Sequence, residues 1–177
     1  LGERAMIDTL ETAWYGVEEV TQGLKAAYTL GADSVAGLLK GAGYTAVAVA
    51  NGLKSVYALT AVQLVPVLLH TRYVLKDVGI ALKDGYQLTA EQAVKVLDQA
   101  SAVVDLVTGV AKDGSQLVAG QAVLLSNLAT SAVVPITGVL KDVYLYSGES
   151  AAKALKTAVL YSASGVAAGL HGPYQYV

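Results

Sequence analysis

The sequence predicts an all-α solenoid of about eleven short helices. Three observations predict it. A mostly leucine anchor recurs at alternating steps of 14 and 15 residues, a full repeat of 29, at Leu10, Leu24, Leu39, Leu53, Leu68, Leu82, Leu97, Ala111, Ser126, Leu140, Leu155 and Gly169. Ser or Thr recurs in the intervening turns, at Thr45, Thr60, Thr89, Ser131, Ser147 and Ser162, where a hydroxyl accepts an orphan amide bond at a helix start. Apolar residues then follow at helical spacing, as in Ala46, Val49, Ala50 and Leu53. Val, Thr and Tyr also favour strands, but the two-residue alternation of a β-solenoid is absent.

The chain reads as a single helical-repeat domain: residues 1–9 a polar N-terminal cap, 10–174 the repeats and 175–177 a tail. The 15-residue half-repeats begin LKAAYTLGA at Leu24, LKSVYALTA at Leu53, LKDGYQLTA at Leu82, AKDGSQLVA at Ala111 and LKDVYLYSG at Leu140. The clearest 14-residue form is LKGAGYTAVAVANG from Leu39. Each half-repeat is the end of one helix, a turn, and the start of the next. That puts turns near 29–31, 43–45, 58–60, 73–76, 87–89, 100–102, 115–118, 129–131, 145–148 and 161–162. Thr89 and Gln92 form a capping box. Pro66 falls inside the helix after Thr60 and is expected to kink it; Pro135 lies near a helix start, where the penalty is smaller. Helices this short are marginal alone, so their stability must come from stacking on neighbours.

Composition bounds the function. The chain has 177 residues, 54% of them apolar and only 15% charged, with a net charge of −2. That balance gives no electrostatic footprint for nucleic acid. Absence of Cys excludes disulfides, thiolate metal sites and cysteine nucleophiles. Residues Gly114–Val139 carry no charge over 26 residues, formally enough to span a bilayer. Gln116, Gln121, Ser126, Asn127 and Pro135, with a helix boundary inside the stretch, argue against a span. Leu1-Gly2-Glu3-Arg4 shows no signal-peptide pattern.

Two ladders accompany the anchors. Tyr15, Tyr28, Tyr44, Tyr57, Tyr73, Tyr86, Tyr144 and Tyr174 recur at the fifth or sixth half-repeat position, with lapses at Ala102, Ser115, Ser131 and Leu160. With no Phe in the chain, these rings are expected to fill the wedges between helices, each hydroxyl on a backbone carbonyl or water. Lys25, Lys40, Lys54, Lys83, Lys112, Lys141 and Lys156 occupy the second position. There a cation complements the helix dipole and reaches the last carbonyls. Asp84, Asp113 and Asp142 follow three of these lysines and are expected to offset their charge.

No constellation for chemistry emerges. His70 and His171 share a register, but no second His or Glu stands at metal-ligand spacing. Asp8, Glu11, Glu18 and Glu19 make the N-terminal region acidic, as a polar end cap would be. No glycine-rich phosphate loop and no Gly-x-Ser-x-Gly elbow is present.

The phrases LKGAGYTA from Leu39 and LKSVYALTA from Leu53 resemble the short-helix tandem-repeat arrays of large bacterial secreted or surface proteins. The resemblance covers most of the chain. It is strongest over 24–96 and weakest over 100–135. It implies a helical array of extracellular or cell-surface location, and no catalytic residue.

The expected function is therefore a non-enzymatic structural or protein-interaction module without cofactor or metal. It is expected to associate with further copies or with neighbouring repeats of a larger chain, through an apolar face that includes the charge-free 114–139 stretch. Binding of a hydrophobic ligand such as a lipid or pigment, or of a membrane surface, is the alternative.

Overall fold

The computed structural model describes residues 2–100 and 133–175. They form α1 (Glu3–Thr12), α2 (Val17–Tyr28), α3 (Ala32–Gly41), α4 (Ala46–Tyr57), α5 (Ala61–His70) and α6 (Leu75–Ile80), which widens into a π turn at Ala81–Gly85. After them come α7 (90–100), α8 (133–142), α9 (Gly148–Val159) and α10 (Ala163–Tyr174). The protein is all-helical, with no strand among the described residues. It divides into two compact units, Leu1–Gln87 and Leu88–Val177.

Turns fall at 29–31, 42–45, 58–60, 86–89, 143–147 and 160–162, close to their expected places. Two expectations need correction. The turn expected at 73–76 lies at 71–74, because Leu75 already opens α6. An unanticipated turn at 13–16 separates α1 from α2, so most of the expected polar cap is itself helix. There Trp14 turns left-handed (φ 64°) and the Tyr15 amide returns to the Leu10 carbonyl at 3.0 Å. The expected turns at 115–118 and 129–131, and residues 101–102 of another, lie outside the described residues.

Two kinds of helix end explain the alternation of 14 and 15. In the shorter half-repeats the tyrosine amide donates five residues back to the anchor carbonyl: Tyr15 to Leu10, Tyr44 to Leu39 and Tyr73 to Leu68. This is the Schellman closure, with the residue before tyrosine left-handed. Trp14, Gly43 and Arg72 fill that place, at φ 64°, 98° and 64°. After α2 and α9 a single bond suffices, Thr29 amide to Lys25 carbonyl and Leu160 amide to Lys156 carbonyl. Most of the left-handed residues, including Ala58, Gln87 and Leu145, are not glycine, so each stores on the order of 1–2 kcal/mol of strain.

Helix starts follow the hydroxyl pattern where a hydroxyl exists. Thr45, Thr60, Ser147 and Ser162 accept from the amide three residues on. Thr89 and Gln92 bond reciprocally, and Thr60 and Gln63 form a second capping box. Gly16, Gly31 and Val74 start helices with no side-chain cap. Ser131 lies outside the described residues. α5 continues through Pro66 to His70.

The core is the anchor ladder. Leu24, Leu39, Leu53, Leu68, Leu82, Leu97, Leu140 and Leu155 are all at most 2% exposed. In the first unit alternate helices stack, α2 on α4 and α4 on α6, with α1 on α3 and α3 on α5. Consecutive helices also pack, so residues one repeat apart become neighbours. Close approach is set by small residues facing threonine. Buried Thr21 bonds back to the Val17 carbonyl at 2.6 Å, and a Cβ on Gly52 of the next stacked helix would sit 2.4 Å from its Oγ1. In the second unit a Cβ on Gly169 would likewise collide with the side chains of Val133 and Thr137.

Gly52→Ala should therefore destabilise the chain by about 1–3 kcal/mol despite its better helix propensity, because the interior cannot accept the methyl. Adding Thr21→Ala should recover part of that loss. Denaturant melts of the two singles and the double are the measurement, and additive losses would mean that the two side chains do not meet.

Candidate functional site

The two ladders meet, and they meet between repeats. Lys25 Nζ donates to the Val56 carbonyl at 2.8 Å and lies 4.6 Å from the centroid of the Tyr57 ring. Tyr57 in turn donates its hydroxyl to the Leu30 carbonyl at 2.6 Å. One repeat on, Lys54 donates to Gly85 at 3.3 Å and lies 4.9 Å from the Tyr86 ring, while Tyr86 donates to Leu59 at 2.6 Å. In the other row, Lys40 donates to Arg72 at 2.5 Å and covers Tyr73 at 4.0 Å, while Tyr73 donates to Tyr44 at 2.6 Å. Lys141, Pro173, Tyr174 and Tyr146 repeat the arrangement in the second unit.

Each such clasp runs in both directions. The ammonium reaches forward to a carbonyl at the end of the next stacked helix, and the phenol reaches back to a turn carbonyl of the previous one. The sequence expectation for lysine needs correction on this point. These lysines satisfy the terminal carbonyls of a neighbouring helix, not their own, because Lys and ring lie 32 or 33 residues apart and stacking brings that separation into contact. Lys141 likewise turns to Pro173 and Tyr174 rather than to Asp142. A face-on cation contributes about 0.5–1 kcal/mol at such exposed sites, and each net hydrogen bond about 0.5–1.5 kcal/mol.

The ladder tyrosines are not equivalent. Tyr73 is 7% exposed, while Tyr28, Tyr44, Tyr57, Tyr86, Tyr144 and Tyr174 are half-buried. Tyr15 does not seal a wedge: it is 52% exposed. Tyr144 donates to Leu88 at 3.1 Å, 56 residues back and so two repeats rather than one. Leu88 holds the same place in its repeat as Leu30 and Leu59. Two tyrosines outside the expected ladder also join helices. Tyr146 donates to Glu91 at 3.2 Å, and Tyr161 to Asp98 at 2.5 Å. Tyr161 stands one residue beyond the lapse at Leu160, and that one-residue shift hid it from a strict period.

Burial pushes these phenols up from their ordinary 10.0, to about 12 for Tyr73 and Tyr86. Tyr44 also rises to about 12, from burial first and then from its hydrogen bond to Glu11 and the charge of that carboxylate. Tyr57 is raised by burial, and Tyr161 by burial followed by its bond to the Asp98 carboxylate.

The remaining sequence candidates stay scattered. His70 Nδ1 lies 3.6 Å from Asp33 Oδ1 on an exposed surface, and His171 is exposed on α10. Among the described residues no three His, Asp or Glu side chains converge on a point that would hold a metal. No helix among them is long and apolar enough to cross a membrane. Of the charge-free stretch only 133–139 is described, in α8, with Val133, Ile136 and Val139 buried and Val134 40% exposed. Lys112, Asp113 and the lapses Ala102, Ser115 and Ser131 lie outside the described residues. Two open grooves lie on the second unit. One of about 280 Å³ is bordered by Glu91, Tyr146 and Lys153, and one of about 510 Å³ runs between α9 and α10. No family model, no curated protein and no solved structure matches the chain.

Two outcomes follow from the clasp. Tyr73→Ala should cost about 3–5 kcal/mol, the scale for a buried ring, and Tyr57→Phe about 1 kcal/mol for the lost bond. Tyr15→Ala should change stability by no more than about 0.5 kcal/mol, as exposed sites do. Chemical denaturation of the three variants measures the gradient.

The second outcome concerns alkali. Between pH 10 and about 12 the unfolded chain has released phenol protons that Tyr44, Tyr73 and Tyr86 keep in the fold. The unfolded state then binds fewer protons, so stability falls as pH rises through that window and is unaffected by these groups below it. Phenolate absorbance and helical circular dichroism, followed together, should change in the same alkaline step.

Proposed function

We propose that the chain is a helical-repeat solenoid serving as a structural or protein-interaction module, self-associating and not an enzyme. One observation carries this reading. The ordered polar side chains of the repeat, Lys25, Lys40, Lys54 and Lys141 with Tyr57, Tyr73, Tyr86 and Tyr174, are engaged in joining one repeat to the next. A repeat that donates forward and accepts from behind can be added to without limit, which suits cohesion and surface display rather than catalysis. An extracellular or cell-surface location rests on the resemblance of the LK-x-x-Y phrases alone.

The groove between α9 and α10, with Val166 and Leu170 on its wall, favours a hydrophobic ligand as the second reading. Native mass spectrometry with an absorption spectrum separates the two. The proposed function expects a series of multiples of the chain mass with no added mass and no visible absorption. A bound lipid or pigment would move the assignment to a carrier, and a ligand-free monomer at tens of micromolar would remove self-association.

A further inference from the structure

We propose that a second copy of this chain lays its α1, with the turn after it, against the α9–α10 edge of the first. Lys156 of one copy and Tyr15 of the other then complete a clasp like those inside the chain. The proposal rests on the self-association reading above and names its surface.

Both halves of the missing clasp are present and unused. Lys156 follows the buried anchor Leu155 as Lys40 follows Leu39, and its side chain is exposed, its ammonium making no hydrogen bond or ion pair among the described residues. Its counterpart inside the chain, Lys40, takes the Arg72 carbonyl and the Tyr73 ring. Tyr15 holds the place of Tyr73: it follows a left-handed residue, and its amide closes on the anchor Leu10 as Tyr73 closes on Leu68. Its ring is 52% exposed and its hydroxyl makes no hydrogen bond among the described residues. Lys156 and Tyr15 both belong to the 14-residue row, so their union continues one row without a change of register. By the same correspondence the Lys156 ammonium meets the Trp14 carbonyl, and the Tyr15 hydroxyl meets a carbonyl in the turn at 160–162.

The surfaces fit in apolar character and charge. The groove beside Lys156 is about 510 Å³ and is walled by Ala152, Tyr161, Val166 and Leu170. α1 offers Met6 and Leu10, both part-exposed, and the following turn offers Trp14 at 92% exposure. An exposed tryptophan beside an exposed tyrosine is the composition of an interface anchor. α1 carries Glu3, Asp8 and Glu11 against Arg4, whereas the groove carries Lys153 and Lys156. Opposite charge steers the two edges together and disfavours like edges meeting. The contact is heterologous, so every copy keeps one free edge of each kind. Association is then open-ended or closes into a ring.

Sedimentation velocity of the full chain across the micromolar range tests this, with Tyr15→Ala and Lys156→Glu. Wild type should grow in mass with concentration. Each variant should retain the helical circular dichroism of wild type and associate roughly tenfold or more weakly, given the cation–ring contact and the hydrogen bonds lost. Tyr15→Phe, which keeps the ring, should fall between. Mixing Tyr15→Ala with Lys156→Glu supplies one intact joint and should yield a complex that stops at two chains. Variants that assemble like wild type, or a mixture that forms no heterodimer, would overturn the edge assignment while leaving self-association standing. A monomeric wild type would overturn both.

Discussion

Helices of at most 12 residues among those described leave a large share of their backbone at their ends. Each end exposes carbonyls that need donors. That need is the constraint from which the rest of the structure follows. In this protein the donors arrive from the neighbouring repeat: a lysine ammonium from one side and a tyrosine hydroxyl from the other. The same contact that satisfies the backbone also fixes the distance and register between stacked helices. The anchor leucines fill the space behind it, and Thr21 and Gly52 permit the approach it demands.

Stability is consequently shared between repeats. Lys25 has no carbonyl to take unless α4 is in place, and Tyr57 has none unless the turn after α2 is formed. Left-handed, mostly non-glycine residues at the turns are tolerated because closures on both sides over-determine the backbone there. Their side chains stand out from the packing, and Trp14, Leu145 and Leu160 are the most exposed large apolar residues described. At Trp14, Leu145 and Leu160 the left-handed turn thus presents an apolar side chain to solvent, whereas Thr29, Arg72, Gln87 and Gln175 place a polar one there.

Tyr144, Tyr146 and Tyr161 show how the interlock tolerates variation. All three join α7 or the turn just before it to later elements over 55 to 63 residues, about twice the usual repeat separation. Two of them use a carboxylate, Glu91 or Asp98, in place of a backbone carbonyl. What is maintained is a phenol donor at the helix–turn junction. The acceptor type and the sequence distance are free to change.

The sequence by itself determined the helices, most of their turns and the core. Anchor spacing, hydroxyl caps and apolar periodicity are local properties, and local hydrogen bonding is what ends and starts a helix. The turn at 13–16 was legible too, since Leu10, Tyr15 and Gly16 repeat the pattern of Leu39 and Tyr44, but the lack of a hydroxyl cap concealed it. Both ladders could be seen in the sequence as well. What they do to each other could not, because Lys25 and Tyr57 lie 32 residues apart and no sequence period states which carbonyl an ammonium will find. Only stacking decided that each lysine serves its neighbour's helix end, that Tyr15 stays exposed while Tyr73 is buried, and that Tyr144 reaches two repeats back. Those outcomes depend on which helices become neighbours, a choice made by the packing of the whole row and not by any one repeat.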